Sequence, residues 1–240
     1  MMPSPSDEMR ERNVEIRIGD RRLAGTLALP RGPKGMVLFA HGSGSGRSSP
    51  RNQLVARTLQ TAGFGTLLID LLDEQESSHV GKVFDIDLLT DRYQAAVNWL
   101  GRDPETRGLR LGYFGASTGT AAVLVAAARR PEDVGAIVSR GGRPDLARHE
   151  LPQVTAPTLL IVGGADLDVL ELNRQALALL RCPKQLAVVP GATHLFPEPG
   201  TLEEVARLTT QWFQRHLVRG FETGAASESG KHIPATGHKA

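Results

Sequence analysis

The sequence predicts an α/β fold, with a mostly parallel central sheet covered by helices on both faces. Three observations predict it. Short apolar runs alternate along the chain with stretches of helical periodicity, as in strand–helix–strand units. Most of these runs lack polar alternation, so they read as strands buried on both faces, which a parallel sheet requires. Several end in Gly-rich or polar loops, and open α/β sheets carry their functional groups at those strand ends. With two alternating segments near the N-terminus, the expectation is about eight strands, the first two an antiparallel hairpin.

The elements follow in order. Residues 1–12 are polar, contain Pro and Ser, and are expected to be a flexible N-terminus. Residues 14–18 alternate apolar and charged side chains, Gly19-Asp20 turns the chain, and residues 23–29 alternate again, closing a hairpin. Pro30 to Pro33 break the pattern. Residues 36–40 form a continuous apolar run leading into His41-Gly42-Ser43-Gly44-Ser45-Gly46. A helix is expected over 52–62, stopped by Gly63, and a buried strand over 64–71. Residues 73–83 are polar and read as a surface loop. Ile86, Leu89, Tyr93, Ala96, Val97 and Leu100 share a helical face.

Residues 109–129 organise the rest of the chain. An apolar run turns at Gly115-Ala116-Ser117-Thr118-Gly119 and continues as an Ala-rich helix. That is G-x-S-x-G between strand and helix, the context of a nucleophile elbow, in which a strained turn exposes the Ser hydroxyl above the sheet. A strand over 134–139 runs into Arg140-Gly141-Gly142-Arg143, and 146–149 suggests a helical turn. A strand over 158–162 ends at Gly163-Gly164-Ala165-Asp166 and precedes a helix over 169–180. A strand over 185–189 ends at Pro190-Gly191-Ala192-Thr193-His194 and precedes an amphipathic helix over 202–218. Residues 221–240 are rich in Gly, Ser, Ala and Lys and are expected to be a disordered tail, with His232 and His238 solvated.

Composition narrows the function classes. At 240 residues, one domain over 13–220 is expected. The 28 basic and 26 acidic residues nearly cancel, which gives no case for nucleic acid or an anionic membrane as partner. Cys182 is the only cysteine, so neither an internal disulfide nor a cysteine zinc cluster can form. No apolar run reaches membrane-spanning length, and the first residues lack a secretory pattern, so a cytoplasmic protein is expected.

A Ser hydroxyl needs an adjacent base, and the base needs an orienting partner. The chain supplies Ser117, Asp166 and His194 in that order, each after an expected strand. Nucleophile, acid, histidine is the order of the α/β-hydrolases. The His41 loop fails as a phosphate-binding P-loop, because the first Gly position falls on His41 and the Lys position on Arg47. Arg140 and Arg143 stand beyond a strand end. They could draw an acidic substrate group or be solvated loop arginines, and neither is assigned to the site. His79, His149 and His216 read as surface.

His41-Gly42-Ser43-Gly44, Gly115-Ala116-Ser117-Thr118-Gly119, Gly163-Gly164-Ala165-Asp166 and Gly191-Ala192-Thr193-His194 together make the chain resemble an α/β-hydrolase of the dienelactone-hydrolase-like branch, over roughly residues 13–218. The namesake enzymes carry Cys as nucleophile and this chain carries Ser, which favours a general carboxylic ester over dienelactone. The resemblance implies a sheet of about eight strands without a large cap domain, since residues 140–157 leave little room for one. It favours Asp166 over Asp168 as the triad acid, leaving Asp168 to cap the following helix. It places the oxyanion-hole N–H donors at Thr118 and Ser43. His41 is expected to shape that loop.

The reading is a serine esterase for small acyl esters, acting through an acyl-enzyme on Ser117, with no metal or organic cofactor. Because His194 must be neutral to accept a proton, activity should rise from acid pH toward neutrality and then level off. The partner is a small-molecule ester, and a homodimer stays open. The alternatives are a thioesterase or peptidase on the same triad, or a hydrolase-fold partner module without catalysis.

Overall fold

The structure, a computed structural model, describes residues 9–42 and 45–218. Strands β1 (Met9–Ile18) and β2 (Arg21–Pro30) form the antiparallel hairpin, and β2 pairs antiparallel with β4 (Gly65–Ile69). Strands β3 (Met36–Ala40), β5 (Leu111–Ala116), β6 (Ala136–Arg140), β7 (Thr158–Gly163) and β8 (Lys184–Val189) complete an eight-stranded sheet. The order is β1-β2-β4-β3-β5-β6-β7-β8, and every pairing from β4 to β8 is parallel.

Every residue of β3, β4, β6 and β7 is buried, which explains their unbroken apolar sequences. The pleat sends alternate residues into two cores. Leu38 and Tyr113 join the layer under α4 (Ile86–Leu100), α5 (Gly119–Arg129) and α6 (Leu167–Leu179). Val37, Phe39 and Phe114 join the layer under α1 (Pro50–Thr61) and α7 (Thr201–Leu217). In the first layer the Tyr93 hydroxyl donates to the Leu38 carbonyl at 3.0 Å. In the second, the Phe39 and Phe114 rings lie with centroids 4.7 Å apart. The Ala-rich α5 is buried along most of its length, and small side chains let it approach the sheet closely.

Several expectations are corrected. Residues 9–12 are paired strand, not a frayed end, because β2 runs on to Pro30 and offers Met9 to Arg12 a partner each. Arg12 further anchors this end, with its guanidinium over the Trp99 ring. Residues 73–83 hold two short helices, α2 (Glu74–Ser77), opened by a capping box between Asp73 and Glu76, and α3 (Val80–Val83). Helix α6 begins at Leu167, which puts Asp168 in its first turn and Asp166 at the capping position; neither is a side-chain cap. Strand β8 is an edge, with Lys184, Gln185 and Val188 exposed. His216 is half-buried, with its ring centroid 4.4 Å from that of Trp212.

Residues 141–157, between β6 and β7, hold only the 3-10 turns Pro144–Ala147 and Leu151–Gln153, so no cap domain covers the carboxyl edge there. Among the described residues no helix is long and apolar enough to cross a membrane. The expectations for Ser43, for residues 1–8 and for the tail with His232 and His238 lie outside the described residues.

Candidate active site

Ser117 follows β5 with φ at 51°, a left-handed conformation that costs a non-Gly residue about 1–3 kcal/mol. Its neighbours hold it there. The Ser117 N–H donates to the Arg140 carbonyl at 3.3 Å, and the Ser117 carbonyl accepts from the N–H groups of Thr120 at 3.1 Å and Arg143 at 3.0 Å. The elbow is thus clamped between the start of α5 and the end of β6. Thr118 is buried at the N-terminal boundary of α5, where backbone N–H groups point out of the helix end.

Gly42 closes over Ser117. A Cβ on it would stand 2.5 Å from Ser117 Cβ and 3.2 Å from Ser117 Oγ, so only glycine fits. His41 fixes that segment from the other side. Its Nε2 accepts the Leu71 N–H at 2.9 Å, which leaves Nδ1 to carry the proton and donate to the Gly42 carbonyl at 3.0 Å. Burial pushes the His41 imidazole below its usual range, consistent with this neutral form. Arg47, the residue in the place of a P-loop lysine, is tied by its side chain and its backbone N–H to Asp70, at 3.0 and 2.7 Å.

Asp166 and His194 come together from two neighbouring strand ends. Their loops are laced by Gly164 N–H to the Val189 carbonyl at 2.8 Å and Ala165 N–H to the Ala192 carbonyl at 2.9 Å. Asp166 Oδ2 then lies 2.7 Å from His194 Nδ1. The contact makes Nδ1 the proton-bearing nitrogen and leaves Nε2 as the basic one. Glu198 braces the same loop by accepting from the Thr193 N–H and hydroxyl at 3.1 and 2.7 Å. Gly141, with φ at +50°, passes beneath the imidazole, and a Cβ there would lie 3.6 Å from both His194 Cε1 and Nδ1. Gly141 directly follows Arg140, whose carbonyl holds the Ser117 N–H. The β6 end therefore carries the elbow on one residue and the histidine on the next.

A narrow cleft opens beside this junction, lined by His41, Gly42 and Thr118 and walled by Leu72, Val83 and Leu89. Of this wall, Val83 is not legible in the sequence, where residues 73–83 read as a loop. The available signal was Asp73 followed three residues later by Glu76, a helix-start pattern. The structure also separates the two arginines left open. Arg143 is neutralised by a bidentate pair with Asp145, both contacts at 2.8 Å. Arg140 is 6% exposed and has no carboxylate partner among the described residues.

The comparisons with known proteins agree with this architecture. Residues 23–217 match the model of the dienelactone hydrolase family. A crystal structure of dienelactone hydrolase from Anabaena variabilis is similar at 53% identity, covering 88% of this chain and 99% of that one, with a TM-score of 0.84. The esterase domain of a Rhodothermus marinus protein shares the fold at 21% identity, covering 87% and 99% of the two chains, with a TM-score of 0.70. Two curated Mycobacterium tuberculosis proteins, each provisionally named a phosphoribosyl transferase, are 55% identical over 87% of this chain. The chain spans 47% of their length, about half. With the family model covering most of the chain and a full-length relative above half identity, the chain belongs to the dienelactone hydrolase family.

Proposed function

We propose that this hydrolase cleaves carboxylic esters through an acyl-enzyme on Ser117. The observation that carries the reading is the Asp166–His194 contact of 2.7 Å, held over Gly141 at the same β6 terminus that clamps the Ser117 elbow. His194 Nε2 takes the Ser117 proton as Oγ attacks the ester carbonyl carbon. The tetrahedral oxyanion is met by the Thr118 N–H and a second backbone N–H that we assign to Ser43. Collapse expels the alkoxide, which receives the proton from His194. Water, deprotonated by His194, then releases the acid and restores Ser117, so one water is consumed per ester. Asp166 holds the imidazole tautomer and stabilises its charged form. No metal or organic cofactor takes part, and the partner is a small ester in the cytoplasm.

The provisional transferase name of the longer relatives offers a second reading. This chain's match to a hydrolase family across residues 23–217, together with the strained elbow, favours ester cleavage. The test is hydrolysis of p-nitrophenyl acetate and butyrate by wild type and Ser117→Ala, with mass spectrometry after a fluorophosphonate probe. Turnover lost in the variant and a label on Ser117 are expected. A folded wild type with neither turnover nor label sinks the proposal in favour of a partner module.

A further inference from the structure

Beside the cleft at Ser117 lies a cavity of about 570 Å³ that the catalytic steps leave unused. Its size falls within the roughly 300–1,000 Å³ of small-molecule sites. Its walls come from the same edge of the sheet as Ser117. Ser45 and Ser48 follow β3, and Asp70 and Leu72 follow β4. Strand β2 runs antiparallel to β4, which brings its first residues, Leu23 and Ala24, to that edge, where the Asp70 N–H donates to the Ala24 carbonyl at 2.9 Å. Helix α2 adds Ser77. Leu72 and Ser77 line both this cavity and the narrow cleft that holds Gly42 and Thr118. Leu72 follows Leu71, whose N–H is bound by His41, and a Cβ on Gly42, the next residue, would stand 3.2 Å from Ser117 Oγ. Strand β4 lies two places from β5 in the sheet, about 10 Å at the usual strand spacing.

The wall is charged, and its charges are paired. Arg92 forks onto Glu76 at 2.6 and 2.9 Å. Arg21 reaches Glu76 at 2.8 Å and Asp73 at 3.3 Å. Arg22 reaches Glu15 at 2.8 Å, and Arg47 holds Asp70 at 3.0 Å. Carboxylates and guanidinium groups therefore stand side by side along the wall. An anionic guest would meet Asp70, Asp73 and Glu76, and a cationic guest would meet Arg21, Arg22 and Arg92. A hydrocarbon guest would strip water from these pairs and return no hydrogen bond. A hydroxyl both donates and accepts, so it can serve a carboxylate oxygen and a guanidinium N–H in turn. Ser45, Ser48 and Ser77 add groups of the same dual kind, and Leu23, Ala24 and Leu72 supply apolar surface for C–H faces. Among the described residues only Glu74 lines the cavity without an ion pair; it is exposed and, as an acceptor, takes a hydroxyl donor.

We propose that this cavity is the subsite for a neutral, polyhydroxylated group, a sugar or sugar-like polyol, carried by the ester that Ser117 cleaves. The cleft at Ser117 takes the ester group, and the cavity beyond Leu72 and Ser77 takes the hydroxyls. The proposal rests on the esterase reading, since it names the substrate class of that same site.

Matched esters test it from both sides of the ester bond. Methyl 6-O-acetylglucoside and its galactose epimer are compared with cyclohexylmethyl acetate, and methyl gluconate with methyl hexanoate. Wild type should prefer the hydroxylated member in at least one comparison by about 10-fold or more in kcat/KM, the worth of one or two net hydrogen bonds. The comparison that shows it tells whether the polyol is the alcohol or the acyl part. Ala24→Leu and Ser48→Trp, which fill the cavity from two walls, should each cut that preference by about fivefold or more. A ratio between two substrates cancels any loss of folded enzyme. Saturation-transfer NMR of the wild-type protein with methyl glucoside, methyl galactoside and gluconamide should show contact with at least one of them, weakened in both variants.

Ratios near one or favouring the plain ester in every comparison, or a preference that both variants leave intact, would overturn the subsite. So would acetylcholine or monomethyl adipate, the cationic and anionic probes, turned over faster than the best hydroxylated ester. If Ser117 neither labels nor turns over any ester, the esterase reading fails by itself. The NMR contacts and their loss in the two variants then decide the cavity alone.

Discussion

Gly42 and Ser117 meet so closely that one added methyl group must displace one of them. A Cβ at Gly42 would lie 2.5 Å from Ser117 Cβ, well inside contact distance, so the elbow or the His41 loop must move. Gly42→Ala is therefore expected to lower kcat/KM for p-nitrophenyl acetate by about 100-fold or more, since a displacement near 1 Å costs that much. Circular dichroism should remain that of the wild type. An alanine variant within about twofold of wild type would contradict the contact. At this scale the sequence was informative wherever glycines frame a functional side chain at a strand end, as around Ser117, Asp166 and His194. It was silent on Arg140. Whether an arginine beyond a strand is solvated, paired or buried depends on which face of the sheet it leaves, and no residue spacing encodes that.

Helices α2 and α3 depend on one buried ion pair. Glu76 accepts from Arg92 Nη1 at 2.6 Å and Nη2 at 2.9 Å, and both side chains are buried. The Arg92 guanidinium holds the Glu76 carboxyl well below the usual carboxylate range. A carboxyl depressed in the folded state contributes stability that is present above its unfolded value near 4.5 and fades as pH falls below it. Glu76→Gln leaves Arg92 buried without a counter-charge and should cost about 3–5 kcal/mol at pH 7. Urea midpoints from pH 3 to 7 should fall toward acid in wild type and vary less in the variant. Equal slopes would remove Glu76 from the acid response. Single-turn helices have too few residues to show periodicity, so this element read as a loop. Only the Asp73–Glu76 spacing marked it. β1 was read short for a related reason: Arg10, Glu11 and Arg12 are a run of charges without alternation, and pairing with β2, not their own pattern, makes them strand.

The described residues form a sheet with two cores and no cap domain between β6 and β7. The apolar runs made strand order and the buried faces readable, because a strand covered on both sides has no polar positions to disguise it. With only 3-10 turns between β6 and β7, no cap supplies a long acyl channel. Esters of C2–C4 acids should therefore be turned over at least about 10-fold more efficiently than C12 esters, each lost methylene contact being small. A p-nitrophenyl ester series measures this, and a preference for C12 would refute it. The edge position of β8 has a further consequence. His194 hangs from a strand that pairs with β7 alone, whereas Ser117 springs from the centre of the sheet. Edge strands open more readily than central ones. Slow amide exchange should therefore persist in β5 after β8 has exchanged, and denaturant should silence the enzyme before the fold is lost. Foldedness and competence are then two separate equilibria, joined only through the outermost strand.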